Sequence, residues 1–284
     1  MTVLREHDQT VTDRVADRVI ELRHRLERTD LRPGRVVDAA FTELVQLCCH
    51  PPTRPSAATM ARIGPHAAAL RALCAAGEGR LERHWGRRIA ASRDPRAELA
   101  RFPYLDNYRH LVRLELGALA ALGHPPPAHA VIIGSGPLPL TGLVLAGEYG
   151  ATVVHVDRDA AALDAGDAVA AAVGLGSSVR SLAADLEAPL TDASLCAELA
   201  RADVVLVAAL VGCDGRAKAG VAARLARAVQ PETLLLVRSA ARLRALLYPE
   251  VTAEDLPALD VLLEVHPRTD VVNSVLVARS RREP

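Results

Sequence analysis

The feature that most constrains the fold is the stretch Ala130 to Thr141, A-V-I-I-G-S-G-P-L-P-L-T. A short apolar run ends in glycine-serine-glycine, and an apolar helical pattern begins at once. Glycines let the backbone take positive φ and bring bare N–H groups up to a ligand at a helix N-terminus. Strand-turn-helix units hold nucleotides in this way. Asp157 ends the next apolar run at about the spacing of a ribose-binding acid. The dinucleotide fingerprint asks for glycine or alanine where this chain has Pro139. An adenosine-bearing ligand in a doubly wound sheet is therefore expected, with NAD less favoured.

The rest of the C-terminal half repeats this grammar. Apolar runs at 129–134, 151–156, 179–184, 203–209 and 233–238 alternate with helical patterns. Such βαβ alternation implies a parallel sheet with right-handed crossovers and ligand groups at the C-terminal ends of the strands. The last two runs, 261–266 and 273–278, are separated only by the hairpin-sized P-R-T-D-V-V. The expected fold class is α/β. Five parallel strands closed by an antiparallel pair make a Rossmann-like, class I S-adenosylmethionine-dependent transferase domain. On that reading Gly134, Ser135, Gly136, Pro137 and Leu138 form the cofactor turn. Asp157 accepts from both ribose hydroxyls, Asp185 accepts from the adenine amino group, and Ala208, Ala209 and Leu210 line the sulfonium side. The alternative is that Asp157 and Asp185 are solvated caps of the following helices.

The first half has a different grammar. Val11, Val15, Val19, Ile20, Leu22 and Leu26 recur at helical spacing, and Arg32-Pro33-Gly34 ends that pattern. Further helices are expected over 36–49, 66–92 and 107–122, with an interruption at Pro95 and a turn at Phe102-Pro103. Gly123 to Pro127, G-H-P-P-P, cannot continue a helix and marks the boundary. Residues 1–122 are read as an all-helical substrate or lid domain. Residues 123–284 are read as the S-adenosylmethionine-binding domain.

Only 2% of the chain is aromatic, yet Trp85, Phe102, Tyr104 and Tyr108 fall in one short span. Just before it runs E-G-R-L-E-R-H-W, from Glu78 to Trp85. On a helix, Glu78, Glu82 and Trp85 lie within about 60° of one another, with Arg80, Arg83 and Arg87 opposite. The arginines mark the solvated face, so both glutamates point inward. An i, i+4 glutamate pair costs roughly 0.2–0.5 kcal/mol even when exposed, and more when buried. Two inward carboxylates beside aromatics are candidates for raised pKa values and base chemistry. The competing reading has Arg109 or Arg113 neutralising them structurally.

Composition excludes several function classes. The chain is formally neutral, which argues against nucleic acid as a partner because phosphates need a basic face. Lys218 is the single lysine. Cys48, Cys49, Cys74, Cys196 and Cys213 show no C-x-x-C spacing, so reduced thiols are expected and neither a zinc site nor a disulfide framework. No metal is expected. The polar N-terminus has no signal-peptide core, and no apolar run is long enough to cross a bilayer. A cytoplasmic protein without a membrane partner is expected, and a homodimer is compatible with all of this.

The motifs taken together resemble one family. V-I-I-G-S-G-P-L-P-L-T, F-P-Y-L-D-N-Y, A-A-L-V-G, V-R-S-A, L-Y-P and V-H-P…D-V-V-N-S-V look like nicotianamine synthase and its bacterial and archaeal relatives. F-T-E-L-V-Q-L-C and E-G-R-L-E-R-H-W match as well. The resemblance runs from about Phe41 to Ala278, with the motifs in order. It implies transfer of the 3-amino-3-carboxypropyl group of S-adenosylmethionine to an amine, with release of methylthioadenosine. It implies that acidic and tyrosine residues of the helical part hold the methionine end where an acceptor reaches its γ-carbon. Those map onto Glu78 or Glu82 and onto Tyr104 or Tyr108.

Short bacterial members of the family, including opine-metallophore synthases of the staphylopine type, add one unit to an amino acid such as histidine. This chain resembles that length class. Three departures leave adenosine binding intact and the acceptor open. Leu105 replaces a second tyrosine, the acid follows as His155-Val156-Asp157, and R-D-A-A-A lacks the usual asparagine. The principal alternative is intramolecular cyclisation of S-adenosylmethionine to azetidine-2-carboxylate. Methyl transfer and a non-catalytic nucleotide-binding regulator rank below it.

Overall fold

The computed structural model describes residues 2–52, 55–212 and 214–281, with side chains from Arg14 onward. Cys213 and the side chain of Val11 lie outside the described residues. The helical pattern of the first half folds into α1 (Thr2–Glu27), α2 (Arg35–Cys49), α3 (Ala57–Ile63), α4 (Ala67–Ala90), α5 (Pro95–Leu99) and α6 (Leu105–Ala121). Two of these were not expected. Ser56 caps α3 by accepting from the Thr59 amide at 3.1 Å. Asp94 caps α5 in the same way at 3.0 Å. Pro95 was read as an interruption and instead opens α5, because the first helical turn has no use for the N–H that proline lacks.

The alternating half supplies β1 (His129–Ile133), α7 (Leu140–Tyr149), β2 (Thr152–Asp157), α8 (Ala160–Ala172), β3 (Val179–Ala183), α9 (Ala193–Arg201), β4 (Val204–Val207), α10 (Gly215–Ala228), β5 (Leu234–Ser239), β6 (Leu259–Val265) and β7 (Ser274–Ser280). They form one sheet in the order β3-β2-β1-β4-β5-β7-β6. The first five strands are parallel, while β7 runs antiparallel to both β5 and β6. The order reverses between β1 and β4, so the crevice at the sheet's topological switch lies over the glycine turn. β7 begins one residue later than the apolar run suggested, which leaves Asn273 in the loop at its mouth.

Two apolar layers enclose the sheet. On one face Ile132, Leu206, Leu236 and Val277 join Leu111, Val112 and Leu119 of α6 and Ile89 of α4 in a single core. The other face buries Val131, Val205, Leu235 and Leu276 against α9 and α10. A third cluster packs α1 and α2 onto Leu243, Leu246 and Leu247, in the connection after β5. The helices are thus fastened to the sheet at two places.

Close approach at glycines sets the position of α4. A β-carbon at Gly86 would lie 3.2 Å from the Pro137 carbonyl oxygen, so α4 rests directly on the turn after β1. On the neighbouring helix, a β-carbon at Gly142 would lie 1.9 Å from Nε2 of His155. Burial drives that imidazole down to about 4, so it packs there as the neutral ring.

Candidate functional site

Gly134 and Gly136 take φ of 81° and 68°, in the left-handed region that a β-carbon disfavours. Space forbids one as well. At Gly134 it would fall 2.3 Å from Cγ2 of Val211, and at Gly136 it would fall 2.9 Å from Oε2 of Glu82. The turn is thereby pressed between the loop after β4 and the glutamates of α4. Its Ser135 hydroxyl is buried without a hydrogen-bond partner among the described residues, and Pro137 and Leu138 are buried beneath it.

Asp157, at the end of β2, organises the turn. Oδ2 accepts from the Gly136 amide and Oδ1 from the Asp159 amide, each at 3.0 Å. A carboxylate offers about four acceptor positions, so two remain for a ligand diol. Asp159, and not Asp157, caps α8. Asp185 is exposed at the rim of the cleft and accepts from the Glu187 amide at 2.9 Å. Ala208, Ala209 and Leu210 form the opposite wall. The buried Lys218 ammonium holds that wall by donating to the carbonyls of Ala208 at 3.0 Å and Ala209 at 3.2 Å.

Glu78 and Glu82 project from α4 into the same cleft. Glu78 Oε1 accepts from the hydroxyl of Tyr248 at 2.9 Å and from that of Tyr108 at 3.3 Å. Neither arginine considered from the sequence neutralises the pair. Arg109 is bound to Glu148 at 2.6 Å and Asp106 at 3.0 Å, and Arg113 is exposed. Burial raises the pKa of Glu78, and the two tyrosine hydroxyls oppose that rise. Burial also pushes Glu82 well above the ordinary range, and the charges of Glu78 and Asp157 add to the effect. Of the two, Glu82 is lifted further, while the two hydroxyls on Glu78 favour its carboxylate form.

The stability consequence has a definite sign. Below about pH 4, Glu82 is protonated both folded and unfolded; above it the unfolded chain releases the proton that the folded chain retains. Stability contributed at low pH is lost as pH rises toward the elevated folded value. Glu82→Gln is therefore expected to melt above the parent protein at pH 8. The difference should vanish below pH 4 in thermal melts across that range, and a constant difference would contradict the assignment.

Three residues lie at the site that the sequence pattern does not single out: Tyr248, Arg238 and Asn273. Tyr248 lies in the connection after β5. Arg238, on β5, is buried at the back of the cleft, where its guanidinium binds Glu115 at 2.7 and 3.1 Å and the Thr141 hydroxyl at 2.8 Å. These two, and Asn273 in the loop before β7, belong to the quoted motifs L-Y-P, V-R-S-A and D-V-V-N-S-V, the only signal that points to them.

The cleft over the turn has a volume of about 290 Å³. A second chamber of about 480 Å³ opens among α2, α4 and α6, and contains Phe41, Trp85, Phe102 and Tyr104. Tyr104 lines only this chamber, packed against the Phe102 ring at a centroid distance of 6.0 Å. Glu78, Glu82, Tyr108, Tyr248 and Asn273 line both spaces and form the wall between them. Every other predicted site residue lines the cleft. Among the described residues, no group of three or more histidine, cysteine or acidic side chains is placed to hold a metal ion. No described helix is long and apolar enough to cross a membrane.

Comparison with known proteins agrees across the chain. The family described as "Nicotianamine synthase protein" matches residues 7–284. Nicotianamine synthase 1 of Oryza sativa subsp. indica is 40% identical over 260 residues, covering 88% of this chain and 75% of the relative. Nicotianamine synthase 9 of Hordeum vulgare is 38% identical over 263 residues, covering 89% and 74%. The structure of MtNAS in complex with MTA and tNA superposes with a TM-score of 0.80 at 23% identity, covering 94% of this chain and 98% of that one. A glutamate-to-glutamine mutant of MtNAS in complex with S-adenosylmethionine gives 0.77 at 22% identity, covering 93% and 97%. With its class I S-adenosylmethionine-dependent transferase fold, the chain belongs to the nicotianamine synthase family, enzymes that use S-adenosylmethionine as aminocarboxypropyl donor.

Proposed function

We propose that this chain transfers the 3-amino-3-carboxypropyl group of S-adenosylmethionine to the amine of an amino acid, making a metallophore-type product and methylthioadenosine. The observation that carries the reading is the shared wall. One carboxylate, held by two tyrosine hydroxyls, faces both the cleft over the glycine turn and a chamber large enough for a second small molecule.

In this reading the turn from Gly134 to Leu138 cradles the nucleoside. Asp157 takes the ribose hydroxyls with its remaining lone pairs, Asp185 meets the adenine amino group at the rim, and Ala208 to Leu210 flank the sulfonium. Glu82 lies over Gly136 on the donor side, and its pKa falls when the cationic donor binds beside it. Tyr104 and the aromatic cluster shape the acceptor chamber. The helices of residues 1–122 act as the lid and acceptor half, over a donor-binding half of residues 123–284.

Glu78 serves as the base. It takes a proton from the acceptor's ammonium, and the freed lone pair attacks the γ-carbon. The C–S bond breaks with its electrons going to sulfur, so methylthioadenosine leaves as a neutral thioether and needs no general acid. Tyr108 and Tyr248 keep the carboxylate oriented, and in-line attack requires donor and acceptor to meet at this wall. Positioning of this kind supplies much of the rate in a displacement that needs no further chemistry.

Purified protein is to be incubated with S-adenosylmethionine, with and without a pool of amino acids, and the nucleoside product identified. Methylthioadenosine formed only with an acceptor is expected. Its release without one would mean cyclisation, S-adenosylhomocysteine would mean methyl transfer, and binding without turnover would mean a regulator.

A further inference from the structure

The group to be transferred carries a carboxylate, and among the described residues the cleft has no unpaired cation to receive it. Three arginines line the cleft. Arg238 is held by Glu115 and Thr141, Arg83 is bound to Asp159 at 3.2 Å, and Arg158 lies 3.9 Å from Glu187. Among the described residues, no arginine, lysine or histidine lines the second chamber. A carboxylate desolvated there without donors would be costly.

Two neutral donors of the cleft lack a partner among the described residues, the Ser135 hydroxyl in the glycine turn and the Asn273 amide, and only Asn273 also reaches the second chamber. Asn273 is 9% exposed, lines both spaces, and its side-chain Nδ2 is buried without a hydrogen-bond partner among the described residues. The neighbouring loop consumes its other polar groups. The Asp270 carbonyl accepts from Asn107 at 2.7 Å, and the Ser274 hydroxyl pairs with His266 at 2.9 Å. Buried amide donors are almost always satisfied, and one without a partner on a residue that lines both spaces points to a ligand.

We propose that Asn273 is the residue that reads the donor's carboxylate, and so sets the enzyme's preference for aminocarboxypropyl over aminopropyl transfer. Its Nδ2 donates to a carboxylate oxygen of the methionine end, on the wall where Glu78 faces the acceptor. An uncharged donor suits this place. A second cation beside Glu78 would stabilise the carboxylate and weaken the base, whereas an amide holds the substrate without that cost. The inference rests on the cleft being the S-adenosylmethionine site. If that assignment fails, the parent protein itself will not bind S-adenosylmethionine.

The test compares three ligands by calorimetry: S-adenosylmethionine, its decarboxylated analogue, and methylthioadenosine. Asn273→Ala is expected to weaken S-adenosylmethionine by about 10- to 100-fold, as for loss of a hydrogen bond to a charged group, and to leave the other two unchanged. Asn273→Asp, which sets a charge against the carboxylate, should weaken S-adenosylmethionine further. Equal losses for all three ligands would assign Asn273 a structural role and overturn the proposal. Equal losses for S-adenosylmethionine and its decarboxylated analogue would mean that the amide reads the amine, which also overturns it. So would unchanged donor binding with a raised KM for the acceptor.

Discussion

Replacing Glu78 by glutamine is expected to leave S-adenosylmethionine binding within a few-fold of the parent protein and to cut methylthioadenosine release by about 10²- to 10⁴-fold, the usual contribution of a general base. Glutamine keeps the shape and an acceptor oxygen for Tyr108 and Tyr248, so the wall stays intact and only the basicity disappears. The parent's rate should climb with pH as the acidic pair loses its proton. Because burial raises both carboxylates, the climb falls nearer neutrality than free glutamate would place it. In Glu78→Gln that limb should be absent. Glu82→Gln supplies the contrast: its loss should appear in donor binding. Equilibrium binding together with single-turnover release in both variants separates the roles, and normal release by Glu78→Gln would refute the base assignment.

The second large effect is on stability. Glu115 is 2% exposed and faces Arg238, itself 6% exposed, across the interface between α6 and the sheet. Glu115→Leu removes one partner and leaves a guanidinium buried with only the Thr141 hydroxyl. Breaking a buried pair in this way costs about 3–5 kcal/mol, because the remaining charge has neither water nor counter-ion. Replacing both partners, Glu115→Leu with Arg238→Met, should recover most of that loss, since well-packed apolar side chains often match a buried pair. Urea titrations of the two variants give the comparison, and a loss under 1 kcal/mol in Glu115→Leu would show that water reaches the arginine. The double variant should still bind donor less well than the parent, because Arg238 also lines the cleft.

Local pattern made much of this molecule legible. The glycine turn, the five parallel strands and the closing pair each follow from apolar runs and breakers within a few residues, and the strands lie within two residues of the expected bounds. The inward side of α4 was equally readable, since helical geometry alone puts Glu78 and Glu82 opposite the arginines. Pattern also singled out Tyr108, but it could not supply the second hydroxyl on Glu78. Tyr248 stands 170 residues from Glu78 along the chain, in a connection with no periodicity, and only the fold brings the two together. Arg109 and Arg113 had the right charge and the wrong direction, whereas Arg238 looked like an ordinary strand residue until β5 set it behind the cleft. The short α3 and α5 were missed for a related reason: their caps are single side chains, and their apolar content is too small to show a period.

Lys218 gives the protein an internal reporter. Its ammonium lies beneath the Ala208 and Ala209 carbonyls and is 1% exposed. No other lysine is present in the chain. An amine-acylating reagent therefore meets a single lysine side chain, and reaches it when the contact between α10 and the wall after β4 opens. The acylation rate at that position measures how often the donor side opens, and a nucleoside seated against Ala208 to Leu210 would slow it. The motion of the site can thus be timed chemically, without introducing a probe.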